Sequence, residues 1–277
     1  MLKQRVITAV VLLAILLPAL FYPSWVPLGA VALVLISAAG WEWARLNGFG
    51  PASAWLTGAL CLLLCSGLWY AGWVTRPLPT LWLLVGMAWV LCGSWMLRAG
   101  VQGWPSIPQV LRLIAGVIVL CLAWLALAQA RVKGIEFLLS VLVLVWVADI
   151  AAYFAGRAFG QKFTRSKLAP SISPGKSWEG VWGGMAGVVS MGLAWAWFFP
   201  GESFYAQLAS RHGFALLVLA CVFMVAMSVV GDLVESLVKR SAGAKDSSGL
   251  LPGHGGVLDR VDALLPALPL AMMLSGL

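Results

Sequence analysis

The chain has 277 residues, of which 62% are hydrophobic and only 10% charged, and its mean hydropathy is +0.96. A soluble domain carries about 25% charged residues, so the apolar excess is too large for one water-surrounded core, and lipid must be the solvent over most of the length. No hydrophilic block is long enough to fold separately, which leaves a single membrane domain over 1–277. The net charge of +8 comes from Lys and Arg residues set between apolar runs. That placement suits topology, anionic head groups or phosphates rather than nucleic acid.

The start, Met1-Leu-Lys-Gln-Arg5 before an apolar run, imitates a signal peptide, but the run continues to Tyr22 without a small-x-small cleavage site. Apolar runs follow near 5–22, 25–44, 53–73, 78–97, 109–130, 135–156, 180–199, 212–235 and 262–277. Each approaches the roughly 20 residues that cross a bilayer, so the expectation is an all-α, polytopic protein of about nine transmembrane helices. The spans in 1–130 form an N-terminal group, and 131–277 carries the long polar loops 157–179 and 236–261. With the N-terminus in the cytosol, 14 of the 18 Lys and Arg residues fall on the cytosolic side; Arg76, Arg131, Lys133 and Arg211 fall on the other. The positive-inside rule therefore selects a cytosolic N-terminus and puts both long loops on the cytosolic face, around a polar cavity open to that side.

Some features read as structural. The five cysteines (Cys61, Cys65, Cys92, Cys121, Cys221) all lie inside apolar runs with no zinc-like spacing, and are reduced packing residues. The 16 tryptophans are spread along the spans as interfacial anchors. Gly180, Gly184, Gly183 and Gly187, at four-residue intervals, favour close helix packing.

The chemistry concentrates in the 27 residues Ser236–Asp262 and the helix end before them. On a helix, Asp232, Glu235, Ser236 and Lys239 share one face. Gly253, Gly255 and Gly256 let backbone amides approach a ligand and form an anion-binding concavity. A helix beginning near Gly256 would aim its N-terminus at the same place, with Asp259 and Asp262 on one face. Carboxylates of this kind suit Mg²⁺, which takes one or two of them together with substrate phosphates. Lys239, Arg240, Lys245 and Arg260 supply positive charge for phosphate oxygens. In the other loop, Ser173-Pro-Gly-Lys176 reads as a turn presenting a hydroxyl and an ammonium, with Lys167 and Glu179 nearby.

The strings Ser236-Leu-Val-Lys-Arg240, Lys245-Asp246, Pro252-Gly-His-Gly-Gly256 and Asp259-Arg-Val-Asp262 resemble the hallmark of phosphatidate cytidylyltransferases, the CDP-diacylglycerol synthases, of bacterial type. Lys167-Leu-Ala-Pro-Ser-Ile-Ser-Pro-Gly-Lys-Ser-Trp-Glu-Gly180 is similar to a second block of that family. The specific resemblance covers about 145–265; the first half matches in hydropathy only. It implies transfer of CMP from CTP to phosphatidic acid for phospholipid biosynthesis, with Mg²⁺ and room for a second cation, in the cell inner membrane, with a homodimer as the family's assembly. It further implies catalytic roles for Lys239, Arg240, Lys245, Asp246, His254 and Arg260. Asp149, Lys167, Ser173, Lys176, Glu179, Gly255 and Gly256 would then bind substrate, while spacing and charge alone put metal on Asp232, Asp259 and Asp262.

Two of these residues are also weighed on their own chemistry. Asp149 lies about eight residues, roughly 12 Å, below the helix end at Arg157, and an acid at that depth is by default functional. A phosphomonoester with a second pKa near about 6 is already largely dianionic at neutral pH. It needs no base, so His254 is expected as a phosphate contact or a shaper of backbone. Two other classes compete: an ion-coupled transporter, which would place its chemistry near the midplane on broken helices, and a CTP-dependent lipid-alcohol kinase.

Overall fold

The computed structural model describes residues 2–276 and is helical throughout, without strands among those residues. In chain order the helices are α1 (Leu2–Phe21), α2 (Val26–Leu46), α3 (Pro51–Tyr70), α4 (Pro79–Gly103), α5 (Gln109–Lys133), α6 (Ile135–Phe159), α7 (Trp178–Phe198), α8 (Phe204–Ser241), the single turn α9 (Leu258–Val261) and α10 (Leu264–Leu274). Proline in the first turn starts α2, α3 and α4, where its missing N–H has no helical partner to lose. Ser177 and Ser203 cap α7 and α8, accepting from Gly180 N at 3.2 Å and Ala206 N at 3.1 Å.

Eight of these helices are long and apolar enough to cross a membrane, so the polytopic all-helical reading holds with eight spans where nine runs were counted. The ninth run, 262–277, forms α10 instead, whose 11 residues make about 16 Å of helix against a hydrocarbon core of about 30 Å. Leu265, Ala267, Leu268, Leu270 and Ala271 are buried where α10 packs on α4, α5 and α8, making it an interior helix of the bundle. Leu277, at the end of that run, lies outside the described residues. The eighth span differs at its start. A short helix from Phe204 leads into it and turns at Gly213, whose φ of +82° is a left-handed conformation suited to glycine.

Helices α6, α7 and α8 form the half of the bundle that presents both long loops at one end. The four-residue glycine spacing is the reason α6 and α7 lie so close. A Cβ on Gly183 would stand 2.1 Å from Ala155 Cβ, and one on Gly187 would stand 2.8 Å from Ala151 Cβ. Gly231 does the same for α8: a Cβ there would meet Asp262 O at 2.6 Å and the Pro266 ring at 2.7 Å. This approach brings the turn between α9 and α10 beside Asp232. We predict that Gly183→Val separates α6 from α7 and destabilises the protein by about 1–3 kcal/mol. A melting temperature in detergent equal to that of the parent would contradict this packing.

Candidate active site

The first loop leaves α6 at Gly160 and returns at Ser177. Its near end is fastened by Glu179, which is 3% exposed and accepts from Phe163 N (3.1 Å), Thr164 N (2.8 Å) and Thr164 Oγ1 (2.8 Å). Its far end folds back on itself, with Ser173 N donating to Ala169 O at 2.9 Å, Lys176 N to Ser173 O at 3.2 Å and Leu168 N to Lys176 O at 3.3 Å. That turn delivers the Lys176 ammonium to Asp232 on α8 as an ion pair. Asp232 also accepts from Ser236 Oγ at 3.3 Å, as one helical face requires.

The second loop is built around Asp259. Its Oδ1 meets Lys239 Nζ at 2.6 Å, and its Oδ2 accepts from Ser247 N (2.9 Å), Ser247 Oγ (2.8 Å) and Gly256 N (2.8 Å). The glycine-rich concavity expected for an external anion is thus partly filled by the chain's own carboxylate. Gly255 has φ +81°, and a Cβ there would stand 2.7 Å from Asp259 Oδ2, so the turn closes only with glycine. Burial alone would raise the Asp259 carboxyl, but the Lys239 ammonium and the Gly256 and Ser247 donors outweigh it and hold it below the ordinary aspartate range. The stability this contributes is present above the unfolded pKa near about 4 and is lost as pH falls through the lowered folded value. Lys239 also meets Glu235 Oε2 at 2.6 Å, so one buried ammonium serves two carboxylates.

Arg240 ties the loops together, donating from Nε to Ile172 O at 3.3 Å and from a terminal nitrogen to Ala244 O at 3.1 Å. Arg260 Nε donates to His254 O at 3.0 Å, and His254 Nδ1 is buried without a hydrogen-bond partner among the described residues. Lys167, Lys245 and Asp246 are exposed at the rim. A cavity of about 410 Å³ opens beside the first loop, lined by Asp149, Tyr153, Arg157, Lys176 and Ser177 together with Ala148, Ala152, Val181, Val225 and Val229. Asp149 there is within electrostatic reach of Asp232 and Lys176.

Asp262, in the turn between α9 and α10, accepts from Ala263 N at 2.8 Å. Burial, then the neighbouring charge of Asp232, pushes its carboxyl up to about 7 against the pull of that amide and of Lys239 and Lys176. Among the described residues, Asp149, Asp232, Glu235, Asp259 and Asp262 therefore face two ammonium groups, Lys176 and Lys239. A cation fits this deficit. No three His, Cys, Asp or Glu side chains converge as a ready-made cage among the described residues, and Mg²⁺ completes its shell with water and substrate phosphates.

Sequence reasoning missed Glu42. It is fully buried in α2, and its carboxylate accepts from Val257 N (2.9 Å), Leu258 N (2.8 Å), Ser247 Oγ (3.3 Å) and Ser248 Oγ. The available signal was a lone acid inside an apolar span, between Trp41 and Trp43.

A family described as "Cytidylyltransferase family" matches residues 3–277, well beyond the stretch in which the motifs were legible. The chain is 40% identical to a phosphatidate cytidylyltransferase of Pseudomonas aeruginosa over 277 aligned positions, covering 97% of this chain and 95% of that protein. It is 38% identical to the enzyme of that name from Haemophilus influenzae, covering 97% and 96%, and 37% identical to that of Brucella suis, covering 96% and 90%.

The lysine shared by Glu235 and Asp259 gives a direct test of the site's framework. Lys239→Met would leave two buried acids uncompensated and cost about 3–5 kcal/mol. Thermal unfolding in detergent measures it, and a loss below about 0.5 kcal/mol, the scale of an ordinary surface change, would contradict the buried network.

Proposed function

We infer the reaction from one premise: this chain belongs to the cytidylyltransferase family. It is a membrane nucleotidyltransferase that transfers CMP from CTP to phosphatidic acid, giving CDP-diacylglycerol and pyrophosphate. The observation that carries this to the chemistry of the site is the convergence of the two loops on one carboxylate–lysine network, joined by Lys176–Asp232 and by Arg240.

A phosphate oxygen of phosphatidate attacks the α-phosphorus of CTP, and the bond from that phosphorus to the β-phosphate oxygen breaks to release pyrophosphate. Two anions must meet, so catalysis is mostly positioning and charge neutralisation. In our reading, Asp232 and Asp262 would hold Mg²⁺, with Asp149 and Glu235 as neighbouring carboxylates. Bound there, the ion would supply positive charge for the reacting phosphates. Asp259 is saturated with donors, so it positions the turn, and Lys239 serves that turn as its counter-charge. Lys176, on the cavity wall, is the phosphate contact nearest the carboxylates. The exposed bases Lys167, Lys245 and Arg260 gather anions at the rim. The unpartnered Nδ1 of His254 supports its role as a phosphate contact. Ser173, Gly255 and Gly256 act through backbone geometry, Glu179 fastens the first loop, and Asp246 stands beside Gly255. The apolar cavity wall formed by Val181, Val225 and Val229 suits the glycerol and upper acyl region of the lipid.

The same proposal places the protein in the cell inner membrane with this face cytosolic, supported by the Lys and Arg asymmetry. Homodimeric assembly rests on the family resemblance. A transporter is not favoured, because the polar network lies where the two loops meet the end of α8.

Purified protein in mixed micelles with phosphatidic acid, Mg²⁺ and α-labelled CTP should move label into lipid. Asp262→Asn should lower that rate by at least about 100-fold while the protein still folds. Label transfer only from γ-labelled CTP to a lipid alcohol would establish the kinase instead, and full activity in Asp262→Asn would remove its metal role.

A further inference from the structure

Glu42 belongs to none of the loops above, yet among the described residues every hydrogen bond to its side chain comes from the second one. Ser248 Oγ and Val257 N (2.9 Å) donate to Oε1, while Ser247 Oγ (3.3 Å) and Leu258 N (2.8 Å) approach Oε2. A fully buried acid on an apolar helix is costly unless charge-assisted hydrogen bonds offset it. Here three donors do so in full, two of them amides that open α9 and have no partner within a helix, while the single Ser247 hydroxyl proton lies closer to Asp259 than to Glu42.

Two further features show that the loop is shaped around this carboxylate. A Cβ on Gly256 would stand 2.3 Å from Glu42 Oε1 and 2.1 Å from Ser247 Oγ, so only glycine leaves room for the approach. Ser247 also gives its amide and hydroxyl to Asp259 Oδ2, at 2.9 and 2.8 Å. Glu42 is thereby one serine away from the carboxylate around which the loop is built. Through Leu258 it also fixes the start of α9, three residues before Asp262.

We propose that Glu42 is a positioning residue for cytidylyl transfer: from the N-terminal half of the chain, it holds the 247–258 turn in the register that aligns Asp259, the glycine amides and Asp262. The inference rests on the functional reading above. Glu42 touches no reacting atom; it acts through Ser247, Ser248 and the amides of α9. A mere brace of the bundle would affect global stability and lipid binding together, whereas a positioning role affects turnover.

The test uses the full-length chain in mixed micelles. Glu42→Gln keeps the size but forces an NH₂ group against one of two amide donors. Expected is a fall in kcat of about 10- to 100-fold, as for lost supporting partners of a catalytic shell, with KM for phosphatidate unchanged. Amide hydrogen exchange should accelerate within 247–258 only, at an unchanged melting temperature. Parental kcat, or a loss matched by faster exchange throughout α2 and α3, would overturn the proposal. Should Glu42→Gln fail to fold, Ser248→Ala removes one donor from the same carboxylate and should lower kcat about threefold to tenfold; parental kcat there would overturn it equally. An inactive parent chain would instead remove the functional reading, and this inference with it.

Discussion

Five acidic side chains gathered at one end of a lipid-embedded bundle are the constraint on which the rest depends. Carboxylates in a low-dielectric setting must be matched by cations and donors or give up their charge. Asp232 takes Lys176, while Glu235 and Asp259 share Lys239. Asp259 adds two amides and a hydroxyl. What is left over is Asp149 and Asp262, the latter driven towards neutrality by burial and by Asp232. Such a group of acids, beside a cavity with basic and apolar walls, suits the cation proposed to arrive with phosphates.

The fold serves this arrangement by close approach. Glycines on α7 bring it against α6, and Gly231 brings α8 against the α9–α10 turn, which sets Asp262 beside Asp232. The short interior helix α10 follows from the same geometry. Entering between α4, α5 and α8, it carries the turn into the protein, and its apolar residues are covered by neighbouring helices. The N-terminal half is more than a lipid-facing frame, since Glu42 reaches from α2 to both ends of the second loop.

Much of this was legible in the sequence because it is local or periodic. The shared face of Asp232, Ser236, Glu235 and Lys239 follows from helical spacing, and counting Lys and Arg brings the two loops to one side. The four-residue glycine pattern foretold tight packing without naming α6 as the partner. What stayed hidden depends on contacts distant in sequence. Glu42 looks like an isolated acid until the loop folds over it. The glycine turn looks like a vacant anion site until Asp259 is seen inside it. That Glu179 fastens the first loop shows only in the bonds it accepts from Phe163 and Thr164. The final apolar run has a span's hydropathy, and only its burial makes it an interior helix.

The carboxylates of Asp232 and Asp262 are the proposed seat of a divalent cation held jointly with nucleotide. Mn²⁺ titration of the purified protein with CTP, followed by electron paramagnetic resonance, measures this without relying on turnover. Expected are a bound-ion signal in the parent chain and at least about tenfold weaker binding in Asp262→Asn. Equal affinity in the two proteins would contradict it.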